Sequence, residues 1–114
     1  MFTRQRIFIA AAVCAALVSG GAMAADTPLV IEMKDGVVSP QALTLKAGAP
    51  VTITLRNTGS SAAEFESKRL RQEIPVPPNG EISLALPALP AGTYPFVDEF
   101  HEQMDSAKGT ITVE

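Results

Sequence analysis

The sequence is poor in the residues that cross-link a small domain or bind metals through sulfur and imidazole. Its 114 residues include one cysteine, one histidine, one tyrosine and no tryptophan. A single cysteine excludes a disulfide within the chain. A small domain built from this sequence must therefore be held together by buried apolar side chains alone.

The same scarcity argues against hydrolytic chemistry. Cys14 lies in an apolar N-terminal segment that we expect to be removed, so no thiol remains as a nucleophile. A serine triad would need His101 as its base, and no nucleophile-elbow glycine pattern surrounds a serine. Glycine loops that cradle phosphate are absent as well. The formal net charge of −3 offers no basic face for nucleic acid.

The first 24 residues have the pattern of a secretory signal peptide. Arg4 and Arg6 form a basic start, "IFIAAAVCAALV" is an apolar run, and "AMA" before Ala25 is a small-residue cleavage site. No later segment is apolar and long enough to span a bilayer. The sequence thus predicts a signal peptide at 1–24, one domain at 25–114, and a periplasmic location without a membrane span after cleavage.

Beyond the signal peptide the chain has the alternation of half-buried strands. "VTITLRN" places Val51, Ile53 and Leu55 on one face, and "LVIEM", "ALTLK", "EISLALP" and "GTITVE" are similar runs. Turn signals rich in glycine and proline, such as "KAGAP", "NTGS" and "VPPNG", separate them. Short strands at this spacing predict an all-β sandwich or barrel. We expect "ESKRLRQE" to be a loop or an irregular edge strand.

The densest group of candidate ligands lies in the C-terminal stretch "TYPFVDEFHEQMDSAKGTITVE". Alternation places Tyr94, Phe96 and Asp98 on one face, so the strand carries Asp98 inward at its end. A carboxylate in that place needs a backbone donor, a cation or a metal. His101 follows three residues later and Met104 three after that, so one loop can bring the three side chains together. Imidazole, carboxylate and thioether ligands suit Cu(II), iron or zinc.

A second group of carboxylates lies in "AAEFES". Glu64 and Glu66 share one face of a predicted strand, and Phe65 lies on the other. Since strand ends from distant parts of a sandwich can meet, either glutamate could complete a site with His101. If Phe65 packs inward, that site requires a bulge or lies on the outer edge of the sheet.

Each of these residues also has an ordinary structural explanation. A histidine in an acidic loop is often only solvated, and Met104 can be an apolar gap-filler. Glu99 and its acidic neighbours can be solubilising charges. Glu64 and Glu66 can form the wet face of an edge strand. The spacing of the residues leaves these alternatives open.

The stretch "TYPFVDEFHEQMDSAKGTITV" resembles the C-terminal ligand loop of cupredoxins. In that family an aromatic strand delivers a cysteine, followed by a histidine, a methionine and a last strand that begins at glycine. Here Asp98 stands in the place of the cysteine, His101 falls on the histidine, and Met104 lies near the methionine. "LTLKAGAPVTITLRNTGSSAAEFES" resembles an earlier part of the family, with Glu64 at or near its first histidine ligand. The resemblance implies a Greek-key β-sandwich of the cupredoxin-like class.

The chain departs from this family in the residues that bind copper. A blue-copper centre needs a thiolate and two imidazoles, whereas residues 25–114 offer no thiol and one imidazole. We therefore do not expect an ordinary blue electron carrier.

The pieces "AEFES", "EFH" and "AKG" together are similar to a narrower group, the cupredoxin-like proteins of bacterial Efe- and Ftr-type ferrous iron uptake systems. This resemblance implies copper and/or iron as the bound ion, with a periplasmic protein and an inner-membrane iron permease as partners. The ligands that it favours are Glu64, Glu66 and His101, followed by Asp98, Glu99 and Met104.

Three functions compete at this point. The first is a periplasmic metal-binding accessory of ferrous iron uptake, which binds or oxidises iron or hands it to a permease. The second is a metal-free docking subunit on a cupredoxin fold, and the third is a copper chaperone. No catalytic residue stands out, and iron oxidation could take place on this chain or on a neighbouring subunit.

Overall fold

The computed structural model describes residues 28–114, so the predicted signal peptide at 1–24 lies outside the described residues. Two short 3-10 turns, Glu99–His101 and Asp105–Ala107, follow the eighth strand. Within the described range, no helix is long and apolar enough to cross a membrane. The strands in this range are β1 Leu29–Lys34, β2 Val37–Ser39, β3 Ala42–Leu45, β4 Val51–Asn57, β5 Ala63–Ser67, β6 Gln72–Val76, β7 Glu81–Leu86, β8 Gly92–Asp98 and β9 Lys108–Val113.

The predicted runs form strands in which buried and exposed side chains alternate. In β4, Ile53, Leu55 and Asn57 are buried, and the residues between them are partly or fully exposed. The stretch "ESKRLRQE" contains the expected loop, because residues 68–71 form a turn between the end of β5 at Ser67 and the start of β6 at Gln72. β6 is the last strand of its sheet. The three-residue β2 is not apparent from the sequence pattern.

The strands form two sheets that pack face to face. The strand order is β2-β1-β4-β7 in one sheet and β3-β9-β8-β5-β6 in the other. β1 pairs with β4 in parallel and β3 pairs with β9 in parallel, whereas the other pairs are antiparallel. The chain changes sheet after β2, β3, β4, β6 and β7. The predicted Greek-key β-sandwich is confirmed.

The core lies between the sheets and contains a pair of stacked aromatic rings. Phe65 and Phe96 have ring centroids 5.2 Å apart and an interplanar angle of 27°. Gly109 lies opposite Phe96 in β9, and a Cβ at that position would overlap the Phe96 ring. Glycine is therefore required at position 109 by the close approach of the ring. The burial of Phe96 also confirms the predicted phase of β8, with Asp98 on the inward face.

The fold brings three elements to one corner of the sandwich. β5 lies between β8 and β6 in the five-stranded sheet. Asp98, the last residue of β8, is the register partner of Phe65 in β5. The turn Glu99–His101 follows Asp98 directly and contacts β5. The end of β8, its turn and the β5–β6 hairpin are therefore neighbours in space.

Candidate metal centre

Asp98 is a buried carboxylate whose oxygens are already hydrogen-bonded, with a residue exposure of 1%. Its Oδ1 accepts hydrogen bonds from the backbone N–H of Glu64 at 3.0 Å and of Phe100 at 3.2 Å. Its Oδ2 lies 2.7 Å from His101 Nδ1. A buried carboxylate requires such partners, and here the protein itself supplies them.

The imidazole of His101 is held at both ring nitrogens. The 3-10 turn brings His101 back over Asp98, so Nδ1 contacts that carboxylate, and Nε2 lies 3.2 Å from Ser61 Oγ. The His101 side chain is 19% exposed. It is thus fixed between the end of β8 and the loop before β5.

Asp35 extends these contacts to the turn between β1 and β2. Its Oδ1 accepts the Ser61 hydroxyl at 2.7 Å and the backbone N–H groups of Ser60 and Ser61 at 3.0 Å each. The hydrogen bonds from Ser61, and then from Ser60, lower the pKa of Asp35, so this carboxylate is ionised at neutral pH. We call the continuous series Asp35, Ser61, His101 and Asp98 the polar chain.

The order Asp98–His101–Ser61 is that of a serine hydrolase triad, but its hydrogen bonds do not support a nucleophile. The Ser61 hydroxyl lies nearer to Asp35 than to His101. The backbone N–H groups of Ser60 and Ser61, which could serve as oxyanion donors, are both bonded to Asp35. Ser61 is therefore a partner of Asp35 in this arrangement and not an activated nucleophile.

Met104 lies beside the polar chain at the surface. A Cβ at Gly36 would overlap Met104 Sδ and would lie 3.3 Å from His101 Cβ, so both side chains border Gly36. Gly36 has a φ of 88°, which also favours glycine. Met104 is 38% exposed. The structure therefore brings Asp98, His101 and Met104 to the same corner.

Four glutamates converge on the outer face of the five-stranded sheet. One carboxylate oxygen from each of Glu64, Glu73 and Glu99 lies within 4.8 Å of the other two. Glu66 is their neighbour, since it lies opposite Glu73 and its charge acts on Glu99. We call these four residues the carboxylate cluster.

The carboxylate cluster follows from strand register. Because Phe65 is fully buried, Glu64 and Glu66 on either side of it point outward from β5. Glu66 lies directly opposite Glu73 of β6. Glu99 begins the turn that contacts β5. No bulge is needed, since the cluster lies on the outer face at the edge of the sheet.

The clustering of negative charge affects Glu99 most clearly. Partial burial, and then the charges of Glu66, Glu64 and Glu73, raise the pKa of the Glu99 carboxyl. Within residues 28–114, no lysine or arginine forms an ion pair with a member of the cluster. A multivalent cation is the kind of partner that would offset this repulsion.

Replacing Glu99 by glutamine is expected to stabilise the metal-free protein at neutral pH. The raised pKa means that the folded state binds a proton at Glu99 more tightly than the unfolded chain does. The ionised carboxylate therefore lowers stability above the raised pKa, and this penalty disappears as the pH falls below the ordinary glutamate value. Thermal unfolding of both proteins between about pH 7 and pH 3 measures the difference.

The control for this prediction is Glu102→Gln, a substitution of an exposed glutamate immediately after the same turn. We expect the stabilisation by Glu99→Gln to approach zero at the acidic end of the range, while Glu102→Gln shows no comparable dependence on pH. A Glu99→Gln effect of equal size at both ends would contradict the assignment of the charge repulsion to Glu99.

The structure divides the predicted ligands between two neighbouring groups. In the described part of the chain, Glu64, Glu73 and Glu99 place three ligand atoms close enough together for one metal ion. This group contains glutamates alone. His101 is engaged with Asp98 and Ser61 instead. The first group, at the corner, is Asp98, His101 and Met104; the second, in the carboxylate cluster, is Glu64, Glu66 and Glu99.

Three contributing residues, Glu73, Ser61 and Asp35, were not predicted from the sequence as part of a site. The sequence could have indicated Glu73, because a short hairpin after β5 places it opposite Glu66. No sequence pattern indicates the contact of Ser61 with Asp35, since the two residues are 26 positions apart and meet only in the folded chain.

The residues do not fit a blue-copper centre. Residues 28–114 contain no thiol, and the imidazole of His101 has hydrogen bonds at both nitrogens. A blue-copper site uses one thiolate and two imidazoles. The carboxylate cluster instead offers hard oxygen ligands, which suit ions that prefer oxygen over sulfur.

A family model and a protein of similar sequence both match this chain. A family model described as a cupredoxin-like domain matches residues 7–113. An uncharacterized protein of Rickettsia prowazekii (strain Madrid E) is 30% identical over 83 residues, which is 73% of this chain. The matched region spans 65% of the length of that relative.

Solved structures resemble this fold at low sequence identity. The metal-binding domain of the Cu(I)-exporting P-type ATPase CopA of Streptococcus pneumoniae D39, solved with Cu(I), has a TM-score of 0.62 and 19% identity, over 76% of this chain and 84% of that one. A purple cupredoxin from Nitrosopumilus maritimus has a TM-score of 0.56 and 21% identity, over 75% and 99%. Reduced auracyanin from Roseiflexus castenholzii has a TM-score of 0.59 and 19% identity, over 77% and 97%. These similarities establish the fold.

Proposed function

The chain belongs to the cupredoxin-like domain family, and we propose that it is a periplasmic metal-binding protein that serves ferrous iron uptake. In this proposal the carboxylate cluster binds iron as cargo and hands it to an iron permease of the inner membrane. The observation that carries the proposal is the convergence of Glu64, Glu73 and Glu99 within 4.8 Å. The charges of Glu64, Glu66 and Glu73 around Glu99 support it, because unneutralised negative charge favours a bound cation.

The ligand type favours iron over Cu(I). Carboxylate oxygens are hard ligands, and their attraction to an ion grows with its charge. They therefore stabilise Fe(III) more than Fe(II), so iron held by the carboxylate cluster is easier to oxidise than iron with neutral ligands. Such a site suits a protein that receives ferrous iron and passes it on, with any electron going to a partner or to Cu(II).

A copper chaperone is the second candidate. It is favoured by the similar fold of the CopA domain, which was solved with Cu(I). Cu(I) prefers thiolate and thioether ligands. Met104 offers an exposed sulfur, whereas Met33 is buried in the core. We place iron first because residues 28–114 offer one accessible thioether, which is a small donor set for Cu(I), while the glutamates offer several oxygens.

The proposal is tested by metal titration of the protein purified from the periplasm after export with its own leader. Metal-free protein is titrated without oxygen with Fe(II), Cu(II) and Cu(I), and Mn²⁺ and Ca²⁺ serve as competitors for oxygen ligands. We expect iron binding, and we expect Glu73→Gln to weaken it by more than about 100-fold, the upper range for residues outside the ligand shell. Glu102→Gln removes the same charge nearby and is expected to leave affinity unchanged.

The outcomes separate the three hypotheses. Iron affinity that is unchanged in Glu73→Gln would remove the carboxylate cluster as the site. Strong Cu(I) binding without iron binding would favour the copper chaperone. Failure to bind any of these ions at neutral pH would favour the docking subunit, and the exposed Phe100 and Met104 would then be the first residues to test for partner contact.

A further inference from the structure

The hydrogen bonds of the polar chain engage Nε2 of His101. Ser61 Oγ lies 3.2 Å from Nε2, and the same oxygen lies 2.7 Å from Asp35 Oδ1. A metal ion could reach Nε2 only by displacing the Ser61 hydroxyl.

The other ring nitrogen is committed as well. Nδ1 lies 2.7 Å from Oδ2 of Asp98, which is buried. A metal ion could reach Nδ1 only by displacing the buried Asp98.

The polar chain ties together segments that are far apart in sequence. It joins the turn between β1 and β2, the loop before β5 and the end of β8, through contacts that include one between residues 40 positions apart. Asp98 adds a bond to the backbone N–H of Glu64 at 3.0 Å. Among residues 28–114, no buried side-chain nitrogen or oxygen lacks a hydrogen-bond partner. The buried polar atoms of the polar chain therefore find all their hydrogen-bond partners within the protein.

We propose that His101 is a positioning residue and not a metal ligand: through the polar chain it holds the turn Glu99–His101 so that Glu99 faces the other three glutamates of the carboxylate cluster. Glu99 begins this turn and His101 ends it, so fixing the imidazole limits where the Glu99 side chain can lie. This assignment rests on the proposed function, because the position of Glu99 matters for binding only if the carboxylate cluster holds a metal ion. The fold thus keeps a histidine in its ligand loop while its metal ligands lie on the outer face.

Pulsed electron paramagnetic resonance of the Cu(II) complex tests this assignment. The sequence contains one histidine, so in protein without a histidine tag any imidazole signal must come from His101. We expect no imidazole nitrogen modulation in the parent complex. We expect His101→Ala to weaken Cu(II) affinity by about 10- to 100-fold, the range typical of residues that orient ligands.

Two further variants distinguish positioning from general loss of structure. His101→Asn keeps an N–H that can bond Asp98, so it is expected to restore part of the affinity with the same copper spectrum. Ser61→Ala breaks the far end of the polar chain without changing the imidazole, and a smaller loss of affinity is expected. Imidazole modulation in the parent, or equal affinities of parent and His101→Ala, would overturn the positioning role.

Nitrogen-15 NMR of the metal-free protein tests the polar chain separately from metal binding. We expect the Nε2 resonance to shift in Ser61→Ala, and an unchanged Nε2 resonance would overturn the polar chain. If the parent binds neither iron nor Cu(II), the proposed function and the positioning role both fall. If it binds through His101, the positioning role falls while metal binding stands.

Discussion

Replacing Phe96 by alanine is expected to lower the free energy of unfolding by about 3–5 kcal/mol. The Phe96 residue is 4% exposed, and its ring stacks on Phe65 with centroids 5.2 Å apart. The ring also fills the space above Gly109, which has no side chain to move into a cavity. The cavity left by alanine can therefore close only if the paired strands move. Denaturant unfolding of the two proteins measures the difference.

The matched control is Phe100→Ala, which removes the same ring from a position that is 51% exposed. We expect this variant to lie within about 0.5 kcal/mol of the parent, as is usual for surface substitutions. Metal affinity should change little in Phe96→Ala at temperatures where the variant stays folded, because Phe96 faces the core and the carboxylate cluster lies outside. Full stability of Phe96→Ala would show that the ring does not support the core.

The phase of the strands could be predicted from the sequence because one buried face imposes a period of two. In "TYPFVD" the aromatic residues are separated by single residues, so Tyr94, Phe96 and Asp98 had to share a face. The same rule predicted that burying Phe65 turns Glu64 and Glu66 outward. Both predictions are confirmed by the burial pattern of β8 and β5.

The contacts between distant segments could not be predicted in this way. Alternation determines the face of a residue but not the strand that lies beside it, so it does not show that β5 lies between β8 and β6. The approach of Asp35 to Ser61 depends on the parallel pairing of β1 with β4, which no local pattern encodes. The resemblance to cupredoxins supplied the loop and its residues, but not their separation into two groups.

The separation of the candidate ligands into two groups has a physical cause in Asp98. The resemblance to cupredoxins places this residue where a copper-binding cysteine would stand. A carboxylate has two oxygens that each accept more than one hydrogen bond, whereas a cysteine thiolate has one sulfur. Asp98 uses one oxygen for two backbone N–H groups and the other for His101. A buried carboxylate with three donors is stable without a metal, so the imidazole is drawn into a protein contact.

Replacing Asp98 by alanine is accordingly expected to destabilise the protein by about 1–3 kcal/mol for each buried donor that loses its acceptor. The change leaves the backbone N–H groups of Glu64 and Phe100 without their acceptor, and it leaves Nδ1 of His101 without its partner. The control is Asp105→Ala, which removes a fully exposed carboxylate from the same connection between β8 and β9. That variant is expected to stay close to the parent, and equal effects of the two substitutions would contradict the account of Asp98.

Asp98→Asn separates the backbone contacts of Asp98 from its contact with the imidazole. An asparagine oxygen can still accept from Glu64 and Phe100, while its amide nitrogen replaces Oδ2 beside His101. We therefore expect a smaller loss of stability than for alanine, and we expect it to depend on the histidine. In a double-mutant cycle with His101→Ala, an interaction energy of at least about 0.5 kcal/mol is expected for residues in one network. Additive effects would mean that Asp98 and His101 act independently, so the imidazole would be free for another partner, including a metal ion.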